Sequence, residues 1–167
     1  MARRGLDSVR SATDGDVAVP QRLFAELYTA QYSPMVRLAH LMTGSNQAAE
    51  DLVQDSFLRL GPRWDRVDQP AAYLRRIVVN RCLTWRGRED RTRPIPDGLD
   101  PPAPPAPIAE MLDALDRLPA RRRAAIVLRF YEDLAEADIA QVLGCRPGTV
   151  RSLLSRGLAE LRKEVEP

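Results

Sequence analysis

The chain has 167 residues, of which 44% are hydrophobic, only 5% aromatic and 29% charged, with a formal net charge of +2. That length holds one ordinary domain or two small ones, and so few aromatics suit Leu/Ala/Val-cored helical units better than a sandwich. There is no apolar run of the roughly 18 residues a spanning helix needs, and Met1–Gly5 lacks the apolar stretch of a secretory signal, so no membrane insertion and a cytoplasmic location are expected.

Charge is unevenly placed. Residues 61–93 hold nine arginines against four acids, residues 141–167 hold five basic residues against three acids, and the rest of the chain is net acidic. Two basic patches on a near-neutral chain suggest two contacts with a polyanion; a solvated charged face is the competing reading. Only Lys163 is lysine among 25 basic residues. Arg suits bidentate phosphate and guanine contacts, although a GC-rich genome explains most of the bias.

Residues 1–19, poor in large apolar groups, read as a disordered leader. A first helical domain is expected over 20–87. Leu23, Phe24, Leu27 and Tyr28 recur at helical spacing. Ser33-Pro34 then has the form of an N-cap with proline at the first helical position, opening a second helix with Met35, Leu38, Ala39 and Met42. Gly44 ends it. Ser45 or Asn46 caps a third helix with Ala49, Leu52, Val53, Ser56, Phe57 and Leu60, stopped by Gly61-Pro62. Asp68-Gln69-Pro70 opens a fourth, striped with Tyr73, Leu74, Ile77, Val78, Cys82 and Trp85.

A linker over 88–107 follows. Seven of the 14 prolines fall between 94 and 107, and proline removes backbone donors and favours extended chain. The linker should separate two domains with independent cores. The second domain, 108–167, carries helices with Ile108, Met111, Leu112 and Leu115, then Ala124, Ile126, Val127 and Phe130, then Glu136–Leu143, and a last one opened by Pro147. The fold class is all-α, two small helical domains.

Residues 134–158 have the order of a helix-turn-helix: a short helix, a turn at Leu143-Gly144-Cys145, then a helix entered at Pro147. Ala140 permits close approach, and Ile139, Val142, Leu143, Val150 and Leu154 form the shared core. That leaves Arg146, Thr149, Arg151, Ser152, Ser155 and Arg156 outward, a face suited to phosphates and base edges in a major groove. A plain helical hairpin is the bland alternative. Chemistry beyond binding finds little support. His40 is the only histidine, and Cys82 and Cys145 stand alone, so no metal spacing, disulfide framework or nucleophile–base pair can be assembled. No metal, cofactor or enzymatic activity is expected.

Several blocks resemble a known family. Leu118–Arg121, Leu128–Leu134, Ala137–Cys145 and Gly148–Ser152 are similar to the promoter-binding domain of extracytoplasmic-function (ECF) RNA polymerase sigma factors, of the sigma-70 family. Ala49–Leu58 is similar to their polymerase-docking helix, and Ala72–Asn80 to the helix beside the melted promoter. Leu41–Gly44 and Arg129–Leu134 resemble the actinobacterial sigma-E-like group most. The resemblance implies that Glu50, Asp51, Gln54, Asp55 and Phe57 bind core RNA polymerase. It implies that Trp64, Asp65, Arg66, Arg76, Asn80 and Thr84 hold the minus-ten strand, and that the six residues of the last helix read the minus-thirty-five duplex. Partners would be core polymerase and promoter DNA; an anti-sigma factor is usual, though not universal, for such proteins. Two departures stand out: Leu153 where many relatives are polar, and Ala135 where Ser often caps. A repressor built on the same helix-turn-helix would leave the Ala49–Leu58 block unexplained, and an anti-sigma or adaptor protein would not need the arginine face.

Overall fold

A computed structural model of the chain describes residues 14–89 and 105–165. Among them are seven helices and no strand: α1 (Asp14–Thr43), α2 (Asn46–Leu60), α3 (Pro70–Glu89), α4 (Ala106–Arg117), α5 (Ala120–Phe130), α6 (Glu136–Leu143) and α7 (Pro147–Val165). A 3-10 turn, Gly61–Arg66, joins α2 to α3. The all-α class expected from periodicity is what forms.

The helices α1, α2 and α3 pack through Met35, Leu38, Ala39 and Met42, Ala49, Leu52, Val53, Phe57 and Leu60, and Leu74, Val78, Val79 and Cys82, all buried. Ser45 caps α2, its side chain accepting from the Ala48 amide at 3.2 Å. Ser56 is tolerated in this core because its hydroxyl donates to the Leu52 carbonyl at 2.6 Å. Phe24, Tyr28, Phe57 and Trp64 form an aromatic cluster, Phe24 meeting Trp64 edge to face at 5.3 Å.

Ser33-Pro34 does not start a helix. The single helix α1 runs through it and begins at Asp14, inside the segment read as a leader; residues 1–13 lie outside the described residues. An internal proline costs about 3 kcal/mol through its missing N–H and a ring clash. Apolar side chains on both sides of Pro34, from Phe24 and Leu27 to Met35 and Leu38, pack on the same core and outweigh that cost.

In the second unit, α5, α6 and α7 close around Ala124, Leu128, Ile139, Ala140, Leu143 and Val150. Gly144 ends α6 in the left-handed region (φ 61°), its amide donating to the Ala140 and Gln141 carbonyls. Ala135 provides no side-chain cap for α6. On α7, Val150 and Leu154 are buried, but Leu158 and Leu161 are half-buried. They line an apolar groove of about 570 Å³ with Met111, Ile126, Phe130 and Tyr131, so the apolar stripe of α7 fills the core with Val150 and Leu154 and opens onto this groove beyond them.

The expectation of independent cores fails: buried residues of both units form one continuous cluster. Polar groups at the joint explain why. An α-helix leaves its last four carbonyls without helical partners. At the end of α1 the Gly44 amide takes the His40 carbonyl, at 2.8 Å. Arg123 of α5 donates Nε–H to the Leu41 carbonyl, and Arg86 of α3 donates to the Thr43 carbonyl at 3.2 Å. Asp116, at the end of α4, accepts from both arginines, at 2.6 and 2.8 Å. The Arg123 side chain is 1% exposed. A cation from one unit thus caps the helix C-terminus of the other, where the helix dipole favours positive charge. Burial alone would raise the Asp116 carboxyl; the hydrogen bond from Arg123 and the two guanidinium charges outweigh that and hold it below the usual carboxylate range. Gly44 is needed twice over: its φ is +75°, and a Cβ there would lie 2.8 Å from Asp116 Oδ1.

His40 sits beside this joint, with Nδ1 buried and unpartnered among the described residues. Burial and the Arg123 charge lower its pKa, opposed in part by a backbone hydrogen bond with Ser45. A histidine whose folded pKa lies below its unfolded value of about 6.5 adds stability above that pH, and the stability fades as pH falls through the folded value. Unfolding free energy is therefore expected to drop between pH 7 and pH 5, and His40→Gln should flatten that slope. Urea titrations of both proteins across this range check it; an unchanged slope in the variant would refute the assignment.

Candidate nucleic-acid and polymerase interfaces

The helix-turn-helix residues lie as their spacing predicts. Ile139, Ala140, Val142, Leu143, Val150 and Leu154 are buried, while Arg146, Thr149, Arg151, Ser152, Ser155 and Arg156 are all exposed along α7 and its entry. Leu153 is half-buried against the core, so it packs. Arg151 is engaged with Glu136 of α6 at 3.1 Å; such an exposed pair contributes under about 1 kcal/mol and yields readily to a stronger acceptor.

On α3, Arg76, Asn80 and Thr84 are exposed and spaced i, i+4, i+8, which places them on one stripe. The Thr84 hydroxyl donates to the Asn80 carbonyl at 3.0 Å and the Asn80 amide to the Arg76 carbonyl at 2.9 Å. Asp65 and Arg66 are exposed in the 3-10 turn, and Trp64 between them and α2 is half-buried, held by Phe24. Trp85 is half-buried against the core. The first basic patch is smaller than its arginine count suggests. Arg75 pairs with Glu132 at 2.7 Å, Arg86 with Asp116, and Arg81 with Asp55. Arg63, Arg66, Arg76 and Arg88 remain exposed; Arg91 and Arg93 lie outside the described residues.

On α2, Glu50, Asp51 and Gln54 are exposed. Asp55 is half-buried and bound by Arg59, four residues on, at 3.2 Å, as well as by Arg81, so it also ties α2 to α3. Phe57 is 3% exposed and belongs to the core. Leu58, by contrast, is 74% exposed and falls i+4 from Gln54 on the acidic face. The sequence carried that signal, because Leu58 is out of phase with the buried positions 49, 52, 53, 56, 57 and 60.

Among the described residues no group of His, Cys, Asp and Glu could hold a metal ion, and no helix is long and apolar enough to cross a membrane. Burial pushes the Cys82 thiol up to about 12, which keeps it protonated and unreactive.

A helix-turn-helix with an outward polar face, joined to a second helical unit that exposes a polar stripe on α3 and acids on α2, has the form of a DNA-binding protein. The chain matches the Sigma-70 region 2 family over residues 27–92 and the Sigma-70 region 4 family over 108–161. It is 34% identical to the RNA polymerase sigma-E factor of Streptomyces avermitilis, over 86% of this chain and 85% of that one. It is 33% identical to the ECF RNA polymerase sigma factor SigM of Mycobacterium tuberculosis, over 88% and 79%. Among solved structures it resembles the sigma factor RpoE in complex with the anti-sigma factor NepR from Bartonella quintana, with TM-score 0.72, 25% identity, and 86% and 96% of the two chains covered. The M. tuberculosis ECF sigma factor SigJ gives TM-score 0.58 at 27% identity, over 83% and 52%. The chain belongs to the ECF group of RNA polymerase sigma factors, a family that directs promoter-specific initiation by core RNA polymerase.

Proposed function

We propose that this chain joins core RNA polymerase through α2, reads a minus-thirty-five duplex with α7, and holds a melted minus-ten strand against α3 and the 3-10 turn. The observation that carries the duplex reading is the outward array of Arg146, Thr149, Arg151, Ser152, Ser155 and Arg156 over a buried Val150 and Leu154. Residues near the start of a recognition helix reach base edges, and those a turn or more later reach phosphates. For the strand, Arg76, Asn80 and Thr84 supply a charged and hydrogen-bonding stripe, Asp65 and Arg66 flank the turn, and Trp64 offers a ring for an unstacked base, a contact worth roughly 1–3 kcal/mol. For polymerase, the contact is Glu50, Asp51 and Gln54 with Leu58 among them, acidic groups around one exposed apolar side chain. Binding energy to separated strands drives opening, with no cofactor or metal. RpoE was solved with an anti-sigma factor, and a regulator of that kind is the partner we assign to this chain as well. The setting is the cytoplasm, where polymerase acts.

The duplex reading makes two different demands on two arginines. Arg151→Ala should weaken binding to a selected promoter duplex by about 1–3 kcal/mol and relax preference at one base pair. Arg156→Ala should weaken all duplexes alike and reduce the salt dependence by about one counterion. Fluorescence anisotropy across a salt series distinguishes them. If both variants bind and discriminate like the parent, α7 is not the reader.

A further inference from the structure

The outward face of α7 and its entry holds three arginines, and they are not alike. Among the described residues no ion pair involves Arg146 or Arg156. Arg151 is tied: its Nη2 donates to Oε2 of Glu136 at 3.1 Å, with the two side chains 74% and 36% exposed. Glu136 is the first residue of α6, so the contact crosses from one helix of the helix-turn-helix to the other. Both ends stand on packed elements. Ile139, Ala140 and Val142 of α6 and Val150 and Leu154 of α7 are buried in one cluster, and the Cys145 amide donates to the Ala140 carbonyl at 3.0 Å across the turn. An acid at a helix start gains from the dipole, and α6 has no side-chain cap. That demand is met equally by Asp138, the other acid of the first turn, and it leaves unexplained why an arginine of the reading face is the group that meets Glu136.

We propose that Glu136 is a positioning residue for duplex reading: it holds the Arg151 guanidinium with a two-pronged edge toward a guanine and so sets the preference at that base pair. This rests on α7 being the reader. A guanidinium carries five N–H donors in a planar fork. Glu136 takes one, on Nη2, and leaves an adjacent pair free on the other edge for guanine O6 and N7. Docking a long, free side chain costs rotamer entropy, and prior anchoring reduces that cost. In water the ion pair is weak; between protein and DNA, where water is excluded, it strengthens. The guanine acceptors are neutral and leave it intact. A phosphate would bring a second anion beside Glu136, so the carboxylate also turns Arg151 away from the backbone, whereas Arg156, with no such acid, is free for phosphate.

The test uses the full chain, a duplex that the parent selects from a random library, and every single base-pair substitution of that duplex. Discrimination is the ratio of Kd for the substituted and the selected duplex. Arg151→Ala marks the pair that Arg151 reads. Glu136→Gln should lower discrimination at that pair, and there alone, by about threefold to tenfold, a part of what the bidentate contact supplies. Glu136→Asp keeps the charge at the start of α6 but is one methylene short, and should lose as much. In an Arg151→Ala background neither substitution should change discrimination, because the effect of Glu136 passes through Arg151. Circular dichroism checks the fold of each variant. Unchanged discrimination by Glu136→Gln overturns the proposal. So does a Glu136→Asp chain equal to the parent, which assigns the carboxylate to the helix start. A loss that persists without Arg151 overturns it too, because Glu136 then acts on DNA directly or through α6. In all three cases α7 remains the reader. If Arg151→Ala discriminates like the parent at every pair, or the parent selects no common sequence, the duplex reading of α7 fails and the role of Glu136 with it.

Discussion

Glu50→Arg combined with Asp51→Arg should abolish assembly with core RNA polymerase, weakening it by at least about hundredfold, or roughly 2.7 kcal/mol, with the fold intact. Both residues are exposed on α2, and among the described residues no ion pair involves either. Both acids lie beyond the first turn of α2, where the helix dipole does little, so it leaves their clustering beside exposed Leu58 unexplained. A basic partner surface explains it, and like-charge juxtaposition there costs several kcal/mol. Asp55 must be left alone in such an experiment. Replacing it by arginine would put a third cation beside Arg59 and Arg81 and unsettle the packing of α2 on α3. Co-purification with core polymerase, with circular dichroism as the control on folding, gives the answer; undiminished assembly by the double variant would contradict the docking assignment.

Arg123→Ala should be the most destabilising single substitution at the joint, lowering the unfolding free energy by about 3 kcal/mol, near the low end for breaking a buried pair. It strips the Leu41 carbonyl of its partner and leaves a gap between α1 and α5. The low end applies because Asp116 is half exposed and keeps Arg86. Asp116→Ala should cost a comparable amount by leaving the Arg123 cation buried with only carbonyl oxygen to face. The double variant should lose less than the two single losses added, because the residues share one interaction. Urea denaturation of the four proteins measures the cycle. Strict additivity would mean that the pair does not couple and that the two units do not depend on it.

The elements of both units were largely legible in the sequence because their signals are local. Ser45 as a cap, Gly144 as a left-handed stop and Pro147 as a helix start act within one turn of chain. The outward set on α7 follows from helical period alone once Val150 and Leu154 are assigned inward. Pro34 misled for a physical reason: a Ser-Pro pair is an entry signal by propensity, and tertiary packing on both sides overrode it. The joint was not legible. Nothing in the residues around Arg123 distinguishes a guanidinium that reaches a carbonyl 82 positions earlier from those of Arg121 and Arg122 just before it, of which the first is exposed and the second half-buried. The same limit applies to the arginines of residues 61–93, whose count overstates their free charge once Arg75, Arg81 and Arg86 find carboxylates on other elements. The pairing of Asp55 was legible: Arg59 lies four residues on, the i, i+4 spacing of a helix ion pair. Leu58 was legible in phase and was passed over because the docking helix was read for its acids.

The most direct test of the central claim is run-off transcription by core RNA polymerase on a library of promoter-length fragments, with and without this chain. The account predicts transcripts that appear only when the chain is added, that start at defined positions, and that share one duplex element upstream of one melted element at fixed spacing. Substituting Arg151 should shift preference within the upstream element alone. Transcripts indifferent to the chain, or a chain that joins polymerase yet selects no common sequence, would contradict it.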